Sequence, residues 1–118
     1  MQILDIETLV DGEHALRVLA VDGQEPVAFL QVLNWDQPGV MIYSLYVDPI
    51  HRNKGVAKQM VAHAMDRAKQ AGKLAVSLTV KNQNEPALRL YKGAGFRYVY
   101  DCGDDLALYT ALFDSFND

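Results

Sequence analysis

The chain has one cysteine, Cys102, in 118 residues, so no internal disulfide can form and a reducing compartment is expected. It has no apolar run near the roughly 18 residues that a membrane-spanning helix needs. The opening MQILDIETL has no basic stretch and carries Asp5 and Glu7, so it does not read as a signal peptide. A cytoplasmic protein without membrane contact is the expectation. His14, His51 and His63 stand at no metal-site spacing, and no metal is expected. There is no Gly-Lys-Ser/Thr, which excludes the ATP-binding P-loop. Gly55 lacks the partner glycines of a dinucleotide fingerprint.

Positive charge is nearly missing from the first half. Residues 1–50 hold eight acids against one base, Arg17, whereas residues 51–73 hold six bases against one acid, Asp66. The asymmetry favours an anion near mid-chain and a cation near the N-terminal half. The basic segment has no aromatic residue for base stacking, and the net charge is −4, so nucleic acid is not the expected anion. A small phosphorylated ligand fits better.

What is present is one domain's worth of alternating patterns over residues 1–118, enough for a single core. Strands are expected at 2–9, 14–21, 26–35 and 40–47, separated by turns at Asp11-Gly12, Asp22-Gly23 and 36–39. From Gly55 the apolar period becomes helical through Val56, Met60, Val61, Ala64, Met65 and Ala68, with Gly72 as the stop. Lys58, Gln59, His63, Arg67 and Gln70 fall on the other face and are expected in solvent. A fifth strand is expected at 74–80. A second helix should run from Pro86 to about Lys92, ended by Gly93 and Gly95, with strands following at 96–101 and 106–113. The expected fold is a mixed α/β (α+β) sheet with two helices, 40–80 forming a strand–helix–strand crossover.

The stretch HRNKGVA, residues 51–57, joins the fourth strand to the first helix. A strand ending in a glycine turn that opens a helix makes an anion site, because first-turn N–H groups lack intrahelical partners and face the positive end of the dipole. Gly55 lets the backbone approach a phosphate, Ala57 keeps the turn narrow, and Arg52 offers a bidentate guanidinium. Taken alone, the stretch is equally a plain helix start with solvated cations.

A second constellation follows: Asn84, Ala87, Leu90-Tyr91 and Gly95-Phe96 form N-x-x-A-x-x-L-Y-x-x-x-G-F. With Arg52-x-x-Gly55-x-Ala57, it resembles the GNAT superfamily of acyl-CoA-dependent N-acetyltransferases over about residues 40–100. The resemblance implies a mostly antiparallel sheet of about seven strands and acetyl-CoA as acetyl donor. Main-chain N–H groups of Lys54, Gly55, Val56, Ala57 and Lys58, beside Asn53 and Arg52, would hold the pyrophosphate. Leu45, Tyr46 and Val47 would pair with the pantetheine as an added strand, and Asn84 would bond its arm. Tyr91 would be the catalytic acid that protonates the departing thiolate.

Two departures stand out. Met41 and Thr79 occupy places where family members carry an acid, so no general base is identified, and Gly93 replaces a frequent Lys. Asp11-Gly12 also links the first two strands directly, where the family usually has two helices walling the acceptor site. An open site is implied, suited to a protein or peptide amine or completed by a dimer mate. A non-catalytic CoA-binding regulatory module is the alternative.

Overall fold

A computed structural model describes residues 1–113. The elements run β1 (Gln2–Val10), β2 (Glu13–Asp22), β3 (Glu25–Leu33), β4 (Gly39–Val47), a short 3₁₀ turn (Pro49–His51), α1 (Val56–Gln70), β5 (Ala75–Lys81), α2 (Glu85–Gly93), β6 (Arg97–Gly103) and β7 (Leu106–Leu112). The seven strands form one sheet in the order β1-β2-β3-β4-β5-β7-β6, antiparallel except where β4 meets β5. The expected elements are all present. The third strand stops two residues early because Asn34 takes φ +60°, and Trp35 N–H turns back to the His14 carbonyl.

Alternation sorts the sheet into two faces. Leu16, Val18, Leu30 and Val32 are essentially fully buried under α1, and Leu78 and Phe96 extend this core toward α2. Both helices lie side by side on that face, bounding a groove of about 610 Å³ lined from both by residues such as Met65 and Leu90. Helix α1 ends in a Schellman arrangement: Lys73 N–H donates to Ala68 O and Gly72 N–H to Lys69 O, with Gly72 at φ +77°.

His63 and Arg67 are not in free solvent as expected. Both contact the Asp5 carboxylate on β1, and Arg67 also lies 3.7 Å from Glu7. The β1–β2 hairpin folds beside α1 and turns Asp5 and Glu7 toward it, so part of the first half's negative charge is spent internally. Trp35 Nε1 donates to Glu7, and the Arg67 guanidinium and Lys73 ammonium lie over its ring. At the opposite edge, β6 pairs with β7 irregularly, its register slipping once between Tyr98 and Tyr100 and again between Asp101 and Gly103.

Candidate functional site

Two strands that part company create the site. β4 and β5 pair at Gly39–Ala75, Val40–Val76 and Met41–Ser77 only, so β4 beyond Met41 has no ladder partner on that side. A bulge sits in the same stretch of β4. Leu30 pairs with Leu45 but Gln31 pairs with Tyr43, leaving Ser44 as the extra residue at φ +62°. The bulge bends β4 as it separates from β5.

The freed strand runs into the loop before α1. Arg52 Nε donates to Val47 O at 2.9 Å, and its guanidinium lies 5.8 Å from the Tyr46 ring centre. The two Nη groups are left for another acceptor. Asn53 and Gly55 both adopt left-handed φ, +61° and +79°. Gly55 caps α1 with no side-chain hydrogen bond, and the first turn holds no acid. The first helical backbone bond is Gln59 N–H to Gly55 O, so Val56, Ala57 and Lys58 N–H precede the ladder. A Cβ built on Gly55 would meet nothing within 4 Å, so the approach to these donors is open. Uncapped donors, a positive dipole end and nearby Lys58 and Arg52 fit a phosphate group.

Across the groove, α2 starts at Asn84, whose Oδ1 accepts from Ala87 N–H at 3.3 Å, with Pro86 in the first turn. That cap commits the side-chain oxygen and leaves the Nδ2 donor for a ligand. The groove measures about 550 Å³. Its walls bring together Leu45, Tyr46 and Val47 of β4, Arg52, Asn53, Gly55, Ala57 and Lys58 of the loop and α1, and Asn84, Ala87 and Leu90 of α2.

Three expected site residues are not in those walls. Val56 points into the core at 4% exposure, so only its N–H can serve the site, and Lys54 stands in solvent. Tyr91 is buried against Phe96, ring centres 5.7 Å apart and edge-on. Burial raises its phenol above the usual tyrosine pKa, which keeps it protonated and a donor. Met41 and Thr79 flank the point where the strands part, and neither brings a carboxylate. Among the described residues, no group of three His, Cys, Asp or Glu is placed to hold a metal ion. No helix among them is long and apolar enough to cross a membrane.

Sequence reasoning missed the Ser44 bulge and the Arg52–Val47 bond. A serine in a β run carries no bulge signal, whereas Arg52 so near a strand end was a readable hint.

Residues 2–96 match the acetyltransferase (GNAT) family, and the chain belongs to it. It is 39% identical over 75 residues to streptothricin acetyltransferase of Streptomyces lavendulae, covering 64% of this chain and 38% of that protein. It is 31% identical over 96 residues to the peptidyl-lysine N-acetyltransferase YjaB of Salmonella typhimurium, covering 79% and 59%. The chain therefore spans less than two thirds of these relatives' length. The fold matches PaiA N-acetyltransferase of Thermoplasma acidophilum, solved with coenzyme A, at TM-score 0.76 and 20% identity over 84% of this chain and 61% of that one. A GNAT acetyltransferase of Elizabethkingia anophelis, solved with acetyl-CoA, matches at 0.75 and 18% over 84% and 76%.

Proposed function

We propose that this chain is an acetyl-CoA-dependent N-acetyltransferase acting on a primary amine, a protein or peptide amine in preference to a small one. The observation that carries the reading is one continuous groove. It begins at the unpaired stretch of β4 and ends at the uncapped N-terminus of α1. An unpaired strand offers main-chain donors and acceptors to an amide-bearing arm, and the helix end offers N–H groups to a pyrophosphate. Coenzyme A has those two parts in that order.

Transfer would proceed by direct attack within a ternary complex. The amine loses its proton to solvent, and its nitrogen adds to the thioester carbonyl carbon. The attacking nitrogen gives up its second proton to solvent, the C–S bond breaks, and the CoA thiolate takes a proton from Tyr91, which solvent then reprotonates. A main-chain N–H of β4 near the bulge would polarise the carbonyl. Met41 and Thr79 offer no base, so the rate should rest on amines that shed their proton readily. The absence of helices between β1 and β2 leaves the acceptor side open, which supports a large acceptor or a site completed by a second copy. Residues 1–118 are taken as one domain working in the reducing cytosol, the compartment expected for a chain with a single cysteine.

Isothermal titration with acetyl-CoA, followed by thiol release with a panel of amines, tests the reading. Binding with turnover supports it. Binding without turnover of any amine would favour a CoA-binding regulatory module, consistent with the missing carboxylates. Absence of binding would remove both.

A further inference from the structure

Among the described residues, the sheet face turned away from α1 and α2 carries no helix. Residues paired across strands point to the same side. Ile6, Arg17, Gln31 and Tyr43 form one row of this bare face, and Met41, Ser77, Thr110 and Arg97 belong to the next. Leu4, Ile6, Tyr43, Tyr46 and Tyr100 expose 45–64% of their surface here, so the face is apolar and aromatic.

Its charge runs against that of the chain. The net charge is −4, yet these rows hold two guanidiniums and no carboxylate: Arg17 on β2, whose Nε donates to Gln31 Oε1 at 3.3 Å, and Arg97 on the edge strand β6. Asp5 and Glu7 face α1 instead, while Glu13, Asp48, Asp104 and Asp105 stand at turns and rims. Lys81 sits at the rim too, donating to the Asp104 carbonyl.

The slot where β4 and β5 part reaches this face at Tyr43 and Thr79, and Tyr46 lines both the groove and a hollow on the bare side with Leu19 and Phe29, closed at its rim by Asp48. An amine reaching a thioester held in the groove can come through that slot. Arg17 stands in the row of Tyr43, two strands from β4, and Arg97 stands in the row of Met41 and Ser77, two strands from β5 and one row short of the slot. At about 4.8 Å per strand, each is about 10 Å from the slot measured across the sheet, the span of about three residues of extended chain.

Resting on the acetyltransferase reading, we propose that the acceptor is a polypeptide amine with a carboxylate about three residues to either side, laid across the helix-free face. A second copy of this chain fits less well, since it would bring guanidiniums against guanidiniums on a face whose acids stand only at its rim. A basic acceptor would meet the same repulsion.

The test uses two fluorescent heptapeptides with a central lysine and apolar neighbours, one ending in glutamate at both ends and one in arginine. Acetylation is followed by mass spectrometry, and binding by anisotropy in the presence of CoA, which needs no turnover. The glutamate peptide should bind and react at least about fivefold better, the effect of two exposed ion pairs. The double variant Arg17→Glu with Arg97→Glu should reverse the order while leaving CoA affinity unchanged. Preferential binding of the glutamate peptide without transfer would support the docking face and count against the enzyme reading. Equal use of both peptides, or preference for the arginine peptide, would overturn the docking face and leave the enzyme reading intact. Failure of both peptides to bind would overturn it as well, whatever small amines do.

Discussion

Arg52 donates its Nε proton to the main-chain carbonyl of Val47, tying the phosphate-side loop to the end of the strand that would hold the pantetheine. One side chain thus sets the distance between two ends of a ligand groove.

Removing it should act on both ends. Arg52→Ala is expected to weaken CoA binding by about 1–3 kcal/mol, the range for a charge-assisted contact. Arg52→Lys keeps the charge but not the planar fork, and should fall between the two. Isothermal titration at fixed ionic strength reads both. Parent-like affinity in Arg52→Ala would remove Arg52 from the phosphate site.

Gly55 separates strain from access. Its φ of +79° is costly for a β-branched residue and mild for asparagine, yet a Cβ there meets no protein atom. Gly55→Val should lose about 1–2 kcal/mol of stability and most CoA binding. Gly55→Asn should nearly keep its melting temperature and still bind CoA poorly, because the added side chain stands where the phosphate must approach. Thermal melts beside CoA titrations give the contrast, and an Asn variant that binds like the parent would dissociate Gly55 from the ligand.

Tyr91→Phe should lower kcat by about 10²–10⁴-fold while CoA affinity barely moves, since the hydroxyl would act only as the C–S bond breaks. The ring stays packed on Phe96, so stability should hold. Burial raises the phenol pKa, so its donor form persists across neutral and mildly alkaline pH, and kcat should not fall there. Steady-state kinetics on the variant decide. An unchanged kcat would exclude the hydroxyl from the chemistry.

Asp5 anchors the first hairpin to α1. Burial alone would raise its pKa, but hydrogen bonds and charge from His63 and Arg67 outweigh that and hold it below the usual 3.8. A carboxyl depressed in the folded state adds stability above its unfolded pKa and loses it as pH falls through the folded one. Asp5→Asn should therefore cost about 1–2 kcal/mol near neutrality, with solvent screening allowed for. The gap to the parent should close below the ordinary carboxylate range. Urea unfolding at neutral and strongly acidic pH measures both, and a pH-independent gap would mean Asn acts through packing alone.

Much of the fold is legible in the sequence. Asp11-Gly12 and Asp22-Gly23 carry their turn chemistry locally, and the change of period at Val56 marks α1 by itself. The GNAT motif residues around Gly55 and Asn84 do converge on one groove. What stayed hidden depends on distant partners. His63 and Arg67 lie 58 and 62 positions from Asp5, so the face of α1 that meets β1 is set by where the hairpin folds, not by helical spacing. The Ser44 bulge follows from register between β3 and β4, which a single strand does not encode. Tyr91 has its ring packed on Phe96 outside the groove walls, so only its hydroxyl is left for the proposed proton transfer; motif spacing fixes a position on a helix and leaves the side chain's depth open.

The two slips in the β6 register bear on whether a further strand can add to this edge of the sheet. An outermost strand rich in tyrosine and valine would ordinarily invite another strand to add on, and fibrils grow that way. With surplus residues at two points in seven, β6 shows no evenly spaced series of free donors and acceptors, so an arriving strand finds no repeat to zip along. Tyr98, Val99 and Tyr100 can thus stay exposed without templating growth.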